Sequence, residues 1–156
     1  MNVTYKNLNK QNEVTGSCHY LEIKLENNKD LKIIIDCGAT QDNTISFSKL
    51  YNINARKPLI DFSKVDYVIL SHFHNDHVGS LGRLPSLGFK GKVLATQLTV
   101  ELTGINLRDA ANLHIKEIDN QNKKKRKKKN SRYDFIPLYT PKSVKDVLDD
   151  MQEYSY

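Results

Sequence analysis

The sequence is short of three features that mark particular classes of protein. It contains no tryptophan, two cysteines, and no apolar run near the roughly 20 residues that span a bilayer. Residues 1–16 lack the apolar core of a secretory signal. Cys18 and Cys37 are too few and too isolated to form a disulfide framework, so we expect them to be small buried thiols. These absences predict a cytoplasmic protein with no membrane association.

The net charge of +6 is concentrated in one segment. Residues 123–129 read KKKRKKK, and without these seven cations the chain has 17 basic and 18 acidic residues, from totals of 24 and 18. Polar residues flank the run, and such a run does not pack into a core. Residues 121–132 are therefore predicted to be a basic, solvated loop or a frayed helix end.

Three segments in the first half have the pattern of strands. Residues 19–26 alternate between apolar and polar side chains, and residues 31–35 read LKIII, so the two segments predict a β-hairpin. The second of them ends at Asp36. Residues 65–70 form a further apolar run, rich in β-branched and aromatic residues, that leads directly into SHFHNDH.

Four elements are predicted further along the chain: a short helix over 78–84, a strand over 92–95, a helix over 96–112, and a helix that begins at Thr140–Pro141. The third of these places Leu98, Leu102 and Ile105 on one stripe. Residues 39–64 are polar and weakly patterned. The order of the elements predicts a layered α/β fold.

The segment HFHNDH contains four metal-ligand side chains at the end of an apolar strand. Side-chain direction repeats every two residues in an extended segment, so His72 and His74 can bind one ion. Asp76 and His77 are adjacent and can bind a second ion a few ångströms away. Two such ions can activate a water for hydrolysis. The alternative, a histidine-rich surface loop, explains this spacing less well.

Several segments of the sequence resemble the motifs of a known protein family. SHFHNDHVGSL resembles the signature of the metallo-β-lactamase fold, and IIIDCG resembles that family's strand ending in an aspartate. EVTGSCHYLEI, GFKGKVLAT and PLYTPKSVKDVL resemble the RNA-processing branch, whose nucleases carry a β-CASP domain. The resemblance extends from about Glu13 to Leu148.

The resemblance implies a function for the site. His72 and His74 would ligate one zinc ion, and Asp76 and His77 a second. Asp76 would also orient or deprotonate the attacking water, and Asp36 would hold a ligand in place by hydrogen bonding. The reaction would be hydrolysis of an RNA phosphodiester bond.

The resemblance also implies that residues 1–156 form the N-terminal part of a four-layer αββα sandwich. The family's site needs later ligands, whereas the one histidine after His77 is His114, in a predicted helix. We expect His114 to be a surface or half-buried helix residue. We also expect an uncovered apolar sheet face, and a complementary polypeptide that supplies the missing ligands.

Two other functions remain open. The same fold could hydrolyse a small ester, thioester or lactam. A truncated fragment could instead bind nucleic acid without catalysis, since each lysine near a phosphate would release a counterion. The candidate RNA contacts are Lys123, Lys124, Lys125, Arg126, Lys127, Lys128 and Lys129.

Overall fold

The computed structural model of the chain describes residues 2–9, 15–26, 29–128 and 133–154. The strands are β1 (Asn2–Asn7), β2 (His19–Lys24), β3 (Asp30–Ile35), β4 (Tyr67–Ile69), β5 (Lys92–Thr96) and β6 (Met151–Tyr154). The α-helices are α1 (Phe47–Ala55), α2 (Asn75–Val78), α3 (Gln97–Lys127) and α4 (Pro141–Asp149). Single 3₁₀ turns occupy Phe62–Lys64, Leu81–Arg83 and Pro85–Leu87.

Within these ranges the strands form one six-stranded sheet in the order β1-β2-β3-β4-β5-β6. The pairs β1–β2 and β2–β3 are antiparallel, which confirms the predicted hairpin, and the remaining pairs are parallel. The carboxyl ends of β3, β4 and β5 therefore meet at one edge, where Asp36 and the histidine segment follow directly.

The two faces of the sheet differ sharply in burial. Ile34, Val68 and Val93 lie side by side in register and are at most 1% exposed. On the opposite face, Val3 and Ile69 are 54% and 38% exposed. Among the described residues, helices thus cover one face of the sheet and not the other, which gives two layers and confirms the expected incomplete αββα sandwich.

The weakly patterned stretch 39–64 contains a helix, α1, which the sequence did not predict. Ser46 is its N-cap, accepting a hydrogen bond from the Lys49 backbone N–H. The aromatic rings of Phe47 and Tyr51 pack on Phe135, at centroid distances of 5.2 and 4.8 Å. A contact so remote in sequence leaves no local pattern, which is why this helix was missed.

The prediction for α3 was wrong in the length of the helix and in which of its side chains face the core. The helix continues to Lys127 instead of ending near Asn112. Leu98 and Ile105, on the stripe expected to pack, are 64% and 67% exposed, whereas Leu107 is fully buried. The inward face is lined by small and polar residues as well as apolar ones, so hydrophobicity alone misidentified it.

Residues 121–127, predicted to be a basic solvated loop or a frayed helix end, form the last turns of α3, so the loop alternative is wrong for them. Asn122 is buried and exchanges two hydrogen bonds with the Phe135 backbone. Lys125 donates to the Tyr133 carbonyl at 2.8 Å and lies 4.0 Å from the Phe135 ring centroid. These contacts hold the last turns of α3 helical despite their charge. Residues 129–132 lie outside the described residues.

Candidate metal centre

The histidine segment forms the turn from β4 into α2. His74 is the N-cap residue of α2, and Asp76 and His77 lie within its single turn. On the side facing α3, the amide of Asn106 donates to the Phe73 carbonyl at 3.0 Å. The ligand-type side chains therefore sit on a short element held between the sheet edge and a long helix.

Backbone hydrogen bonds tie this segment to the end of β3. Cys37 N–H donates to the His77 carbonyl at 2.7 Å, and Ser17 N–H donates to the Asp76 carbonyl at 2.7 Å. Gly38 allows this approach, since an added Cβ would overlap the Asp76 carbonyl. The position of Asp76 thus depends on residues that lie far from it in sequence.

The four candidate ligands form two pairs of donor atoms. His72 Nε2 lies 3.1 Å from His74 Nδ1. His77 Nε2 lies 3.6 Å from Asp76 Oδ2. The two pairs are adjacent, because the ring centroids of His72 and His77 are 4.0 Å apart. The structure therefore brings together all four residues that the sequence singled out.

Asp36 holds one histidine directly. Asp36 as a whole is 3% exposed, and its carboxylate accepts from the backbone N–H of Ser71 at 2.8 Å. His77 Nδ1 lies 2.7 Å from Asp36 Oδ2. Because a carboxylate accepts, Nδ1 carries the proton and the Nε2 lone pair is left to face outward.

Ser71 extends this support to a second histidine. Its hydroxyl donates its one proton to Asp36, at 2.9 Å. It must therefore accept at its 3.0 Å contact with His72 Nδ1, so the lone pair of His72 lies on Nε2, which faces His74 Nδ1 at 3.1 Å. Ser71 and Ser17, whose hydroxyl lies 3.4 Å from Asp36, were not singled out from the sequence. The sequence offered one signal for these two serines: Ser71 directly precedes His72, and Ser17 lies just before β2.

Both pairs fit a small divalent ion in spacing and donor type. Two ligands about 2.0–2.1 Å from one tetrahedral ion lie roughly 3.3 Å apart, close to the two separations found here. Over residues 2–9, 15–26, 29–128 and 133–154, no group of three or more His, Cys, Asp or Glu side chains is arranged to hold an ion. The described residues thus offer two pairs of candidate donors and no set of three.

His114 is not part of this centre. It is half-buried in α3, as expected, where its Nε2 accepts from the Leu138 backbone N–H at 3.0 Å. Its ring stacks on Tyr139 at 5.1 Å. Burial lowers the pKa of His114 below its ordinary value of 6.5, which favours the neutral form that this hydrogen bond needs.

The basic end of α3 also lies apart from the centre. Asn106 contacts the histidine segment, and Lys124 follows 18 residues later, about 27 Å along the helix axis at 1.5 Å per residue. Lys123, Lys124, Lys127 and Lys128 are exposed. Lys129 lies outside the described residues.

Histidines and an aspartate at a strand end, oriented by a buried carboxylate, are typical of metal-dependent hydrolases. Comparison with protein families agrees with this class. Residues 13–150 match the Metallo-beta-lactamase superfamily, and the chain belongs to that family.

Similar curated proteins carry ribonuclease names. The chain is 32% identical over 144 residues to Ribonuclease TTHA0252 of Thermus thermophilus, covering 92% of this chain and 26% of that protein. It is 33% identical over 101 residues to an RNase J-like protein of Methanocaldococcus jannaschii, covering 63% and 20%. It is 33% identical over 102 residues to Endoribonuclease YSH1 of Saccharomyces cerevisiae, covering 63% and 11%. The chain thus spans about a quarter or less of these relatives.

Within the described ranges, no helix combines the length and apolar character needed to cross a bilayer. Even α3, with 31 residues, ends in a cluster of lysines.

Proposed function

We propose that this chain carries part of the active site of a zinc-dependent ribonuclease with two metal ions. The observation that carries the proposal is the arrangement of four donor side chains in two pairs, braced by the buried Asp36. The ribonuclease names of the relatives support RNA as the substrate.

Each residue has a defined part in this proposal. His72 and His74 would hold one zinc ion, and Asp76 and His77 the other. When bound, the ions would supply Lewis-acid activation of water and of the scissile phosphate. Asp76 would orient the attacking water and accept its proton. Asp36 would keep His77, and through Ser71 also His72, in the tautomer that binds metal.

Two protein ligands per ion do not complete a tetrahedral site. We therefore propose that activity requires further ligands from a complementary polypeptide or from additional chain. Such an enzyme would act in the cytoplasm on RNA.

The primary test measures zinc bound per chain at neutral pH, with His72→Ala as the variant. Wild type should bind zinc weakly alone and more tightly when combined with the complementary part, and the variant should lose at least the His72–His74 position in both cases. His114→Ala is the matched control, because it removes a histidine outside the centre and should leave zinc content unchanged. Equal zinc in wild type and His72→Ala would reject the proposed site.

Substrate class is tested on the chain combined with the remaining part of a relative's catalytic domain. We expect cleavage of a labelled RNA and no hydrolysis of a thioester or a β-lactam. The reverse result would assign the centre to small-molecule hydrolysis instead.

We also propose that the exposed lysines at the end of α3 contact the RNA backbone. The supporting observation is that Lys125 and Arg126 are engaged with Tyr133 and Asp134, while the four other described cations of the run are exposed. These side chains would guide a strand toward the centre without reading its sequence, because the run has no aromatic residue to stack on bases.

Replacing Lys123, Lys124, Lys127 and Lys128 by glutamine should weaken RNA binding and reduce the salt-dependence slope by about 3, at roughly 0.7 per phosphate contact. The matched control replaces four exposed lysines elsewhere, Lys64, Lys90, Lys92 and Lys142, with the same loss of charge. Fluorescence anisotropy over a salt series provides the measurement. If both variants weaken equally, net charge and not the helix end determines binding.

A further inference from the structure

The two cysteines of the chain lie at neighbouring strand ends beside the histidine segment, where Cys37 N–H donates to the His77 carbonyl. β2 and β3 pair His19 with Ile35, and Cys18 directly precedes β2 while Cys37 follows the end of β3 by two residues. A hydrogen bond with the Cys37 thiol, together with burial, raises the pKa of Cys18 well above its ordinary value of 9.0. Both are free thiols, and both line the same cavity.

This pair borders a cavity of about 580 Å³, to whose lining both cysteines contribute. Cys18 is partly exposed, whereas Cys37 is 4% exposed. A small oxidant that enters the cavity therefore reaches Cys18 first. Cys37 is then the second thiol, which reacts with the oxidised Cys18.

The cysteines are chain neighbours of the residues that brace the centre. Cys37 directly follows Asp36, which has a left-handed backbone with φ 60°. Cys18 directly follows Ser17, which contacts both the Asp36 carboxylate and the Asp76 carbonyl. A displacement of either cysteine is thus transmitted to Asp36 within one residue.

We propose that Cys18 and Cys37 form a reversible disulfide that displaces Asp36 and loosens the histidine cluster. A disulfide requires the two sulfur atoms to approach to about 2.05 Å, far closer than hydrogen-bonded thiols. The strand ends must shift to allow this. The disulfide itself is independent of the proposed ribonuclease function, whereas its effect on metal binding rests on that function.

The oxidant is hydrogen peroxide or an organic hydroperoxide. The Cys18 thiolate attacks one peroxide oxygen, the O–O bond breaks, and hydroxide leaves to give a sulfenic acid. The Cys37 sulfur then attacks the Cys18 sulfur, the S–O bond breaks, and water leaves with the Cys37 proton. Overall, two thiols are oxidised and hydrogen peroxide is reduced to two waters.

The first test treats the folded chain with hydrogen peroxide over a pH series that extends to alkaline values, because the raised pKa of Cys18 leaves little thiolate near neutral pH. Intact mass should decrease by two hydrogens, alkylation by iodoacetamide should stop, and dithiothreitol should reverse both effects. With two cysteines, the chain has one intramolecular pairing. Cys37→Ser should instead accumulate a sulfenic acid that dimedone traps. A folded chain that keeps two free thiols, while the denatured chain oxidises, would overturn the proposal.

The second test follows the imidazole NMR signals of the metal-free chain. Oxidation should shift the signals of His77, whereas those of His114, which packs on Leu138 and Tyr139, should not move. Unchanged His77 signals in the oxidised chain would overturn the coupling. Oxidation should also weaken zinc binding by about tenfold or more. If the reduced chain binds no zinc, either alone or combined with the complementary part, the proposed function fails, but the mass and NMR results still decide the redox proposal.

Discussion

At the scale of single residues, Asp36 links the sheet to the candidate centre. It is a buried carboxylate surrounded by donors from Ser71, His77 and Ser17. Its left-handed φ is uncommon for a residue with a side chain, although aspartate tolerates it better than most. The strand end is therefore shaped to aim this carboxylate at the histidine segment.

Asp36→Asn should lower zinc affinity by about 10- to 100-fold, the usual effect of removing the partner of a metal-binding histidine. An asparagine amide presents a donor as well as an acceptor, so it cannot satisfy all the donors that Asp36 now serves. Competition with a chromophoric chelator gives the affinity. Asp109→Asn, at an exposed position of α3, is the control and should bind zinc like wild type.

The lowered pKa of His114 predicts how the free energy of unfolding depends on pH. Its pKa is lowered in the folded state, so its contribution is fully present above 6.5 and is lost as pH falls through the folded-state pKa. His114→Gln keeps an acceptor for the Leu138 N–H but does not titrate. The wild-type advantage over this variant should therefore shrink as pH falls from 7.5 to 5.5.

Urea unfolding of both chains at each pH measures this difference, and the remaining histidines cancel between them. A difference in unfolding free energy that stays constant with pH would show that His114 does not titrate differently on folding.

At the scale of elements, the contact between the end of β3 and α2 depends on the absence of a side chain at residue 38. Gly38→Ala would force the Asp76 carbonyl away, and we expect a loss of about 1–3 kcal/mol in the free energy of unfolding, together with weaker zinc binding. Both properties should change in parallel, because the same displacement causes them.

Gly104→Ala is a matched substitution with the opposite expected sign. An added Cβ there meets the flexible Arg108 side chain at 3.4 Å, and alanine should stabilise the middle of α3 by about 0.5–1 kcal/mol. Chemical denaturation separates the two variants. Equal effects of both substitutions would mean that the contact of Gly38 with Asp76 does not matter.

At the scale of the whole molecule, the main feature is the sheet face that the described helices leave uncovered. Val3 and Tyr154 lie at its two edges and are 54% and 65% exposed, and apolar side chains occupy the strands between them. A face of this kind binds another surface or aggregates. It is where a second sheet would pack in a complete sandwich.

We therefore expect the isolated chain to self-associate as its concentration rises. Replacing Val3 and Tyr154 by lysine should reduce this association, as measured by sedimentation velocity. Leu59→Lys is the control, since Leu59 is 80% exposed but lies outside the sheet. A wild-type chain that stays monomeric at all concentrations would contradict this expectation.

The sequence predicted the hairpin, β4, β5 and the start of α4, because each has a strong local pattern. The helix start at Thr140–Pro141 is confirmed, with a capping box between Thr140 and Ser143. By contrast, α1, β1 and β6 depend on distant partners. The exposed β1 side chains show no buried stripe, and β6 pairs with β5 more than 50 residues earlier.

The sequence by itself determined the fold class and the family and singled out the four candidate donor residues, because strand periodicity and the spacing of HFHNDH are local properties. Only the tertiary structure decided that the candidate donors form two pairs, that Ser71 and Asp36 orient His72 and His77, and that Gly38 sets the position of Asp76. It also placed the two cysteines in the lining of one cavity and left Leu98 and Ile105 of α3 exposed. These features arise from contacts between residues far apart in the chain, and local sequence patterns do not record such contacts.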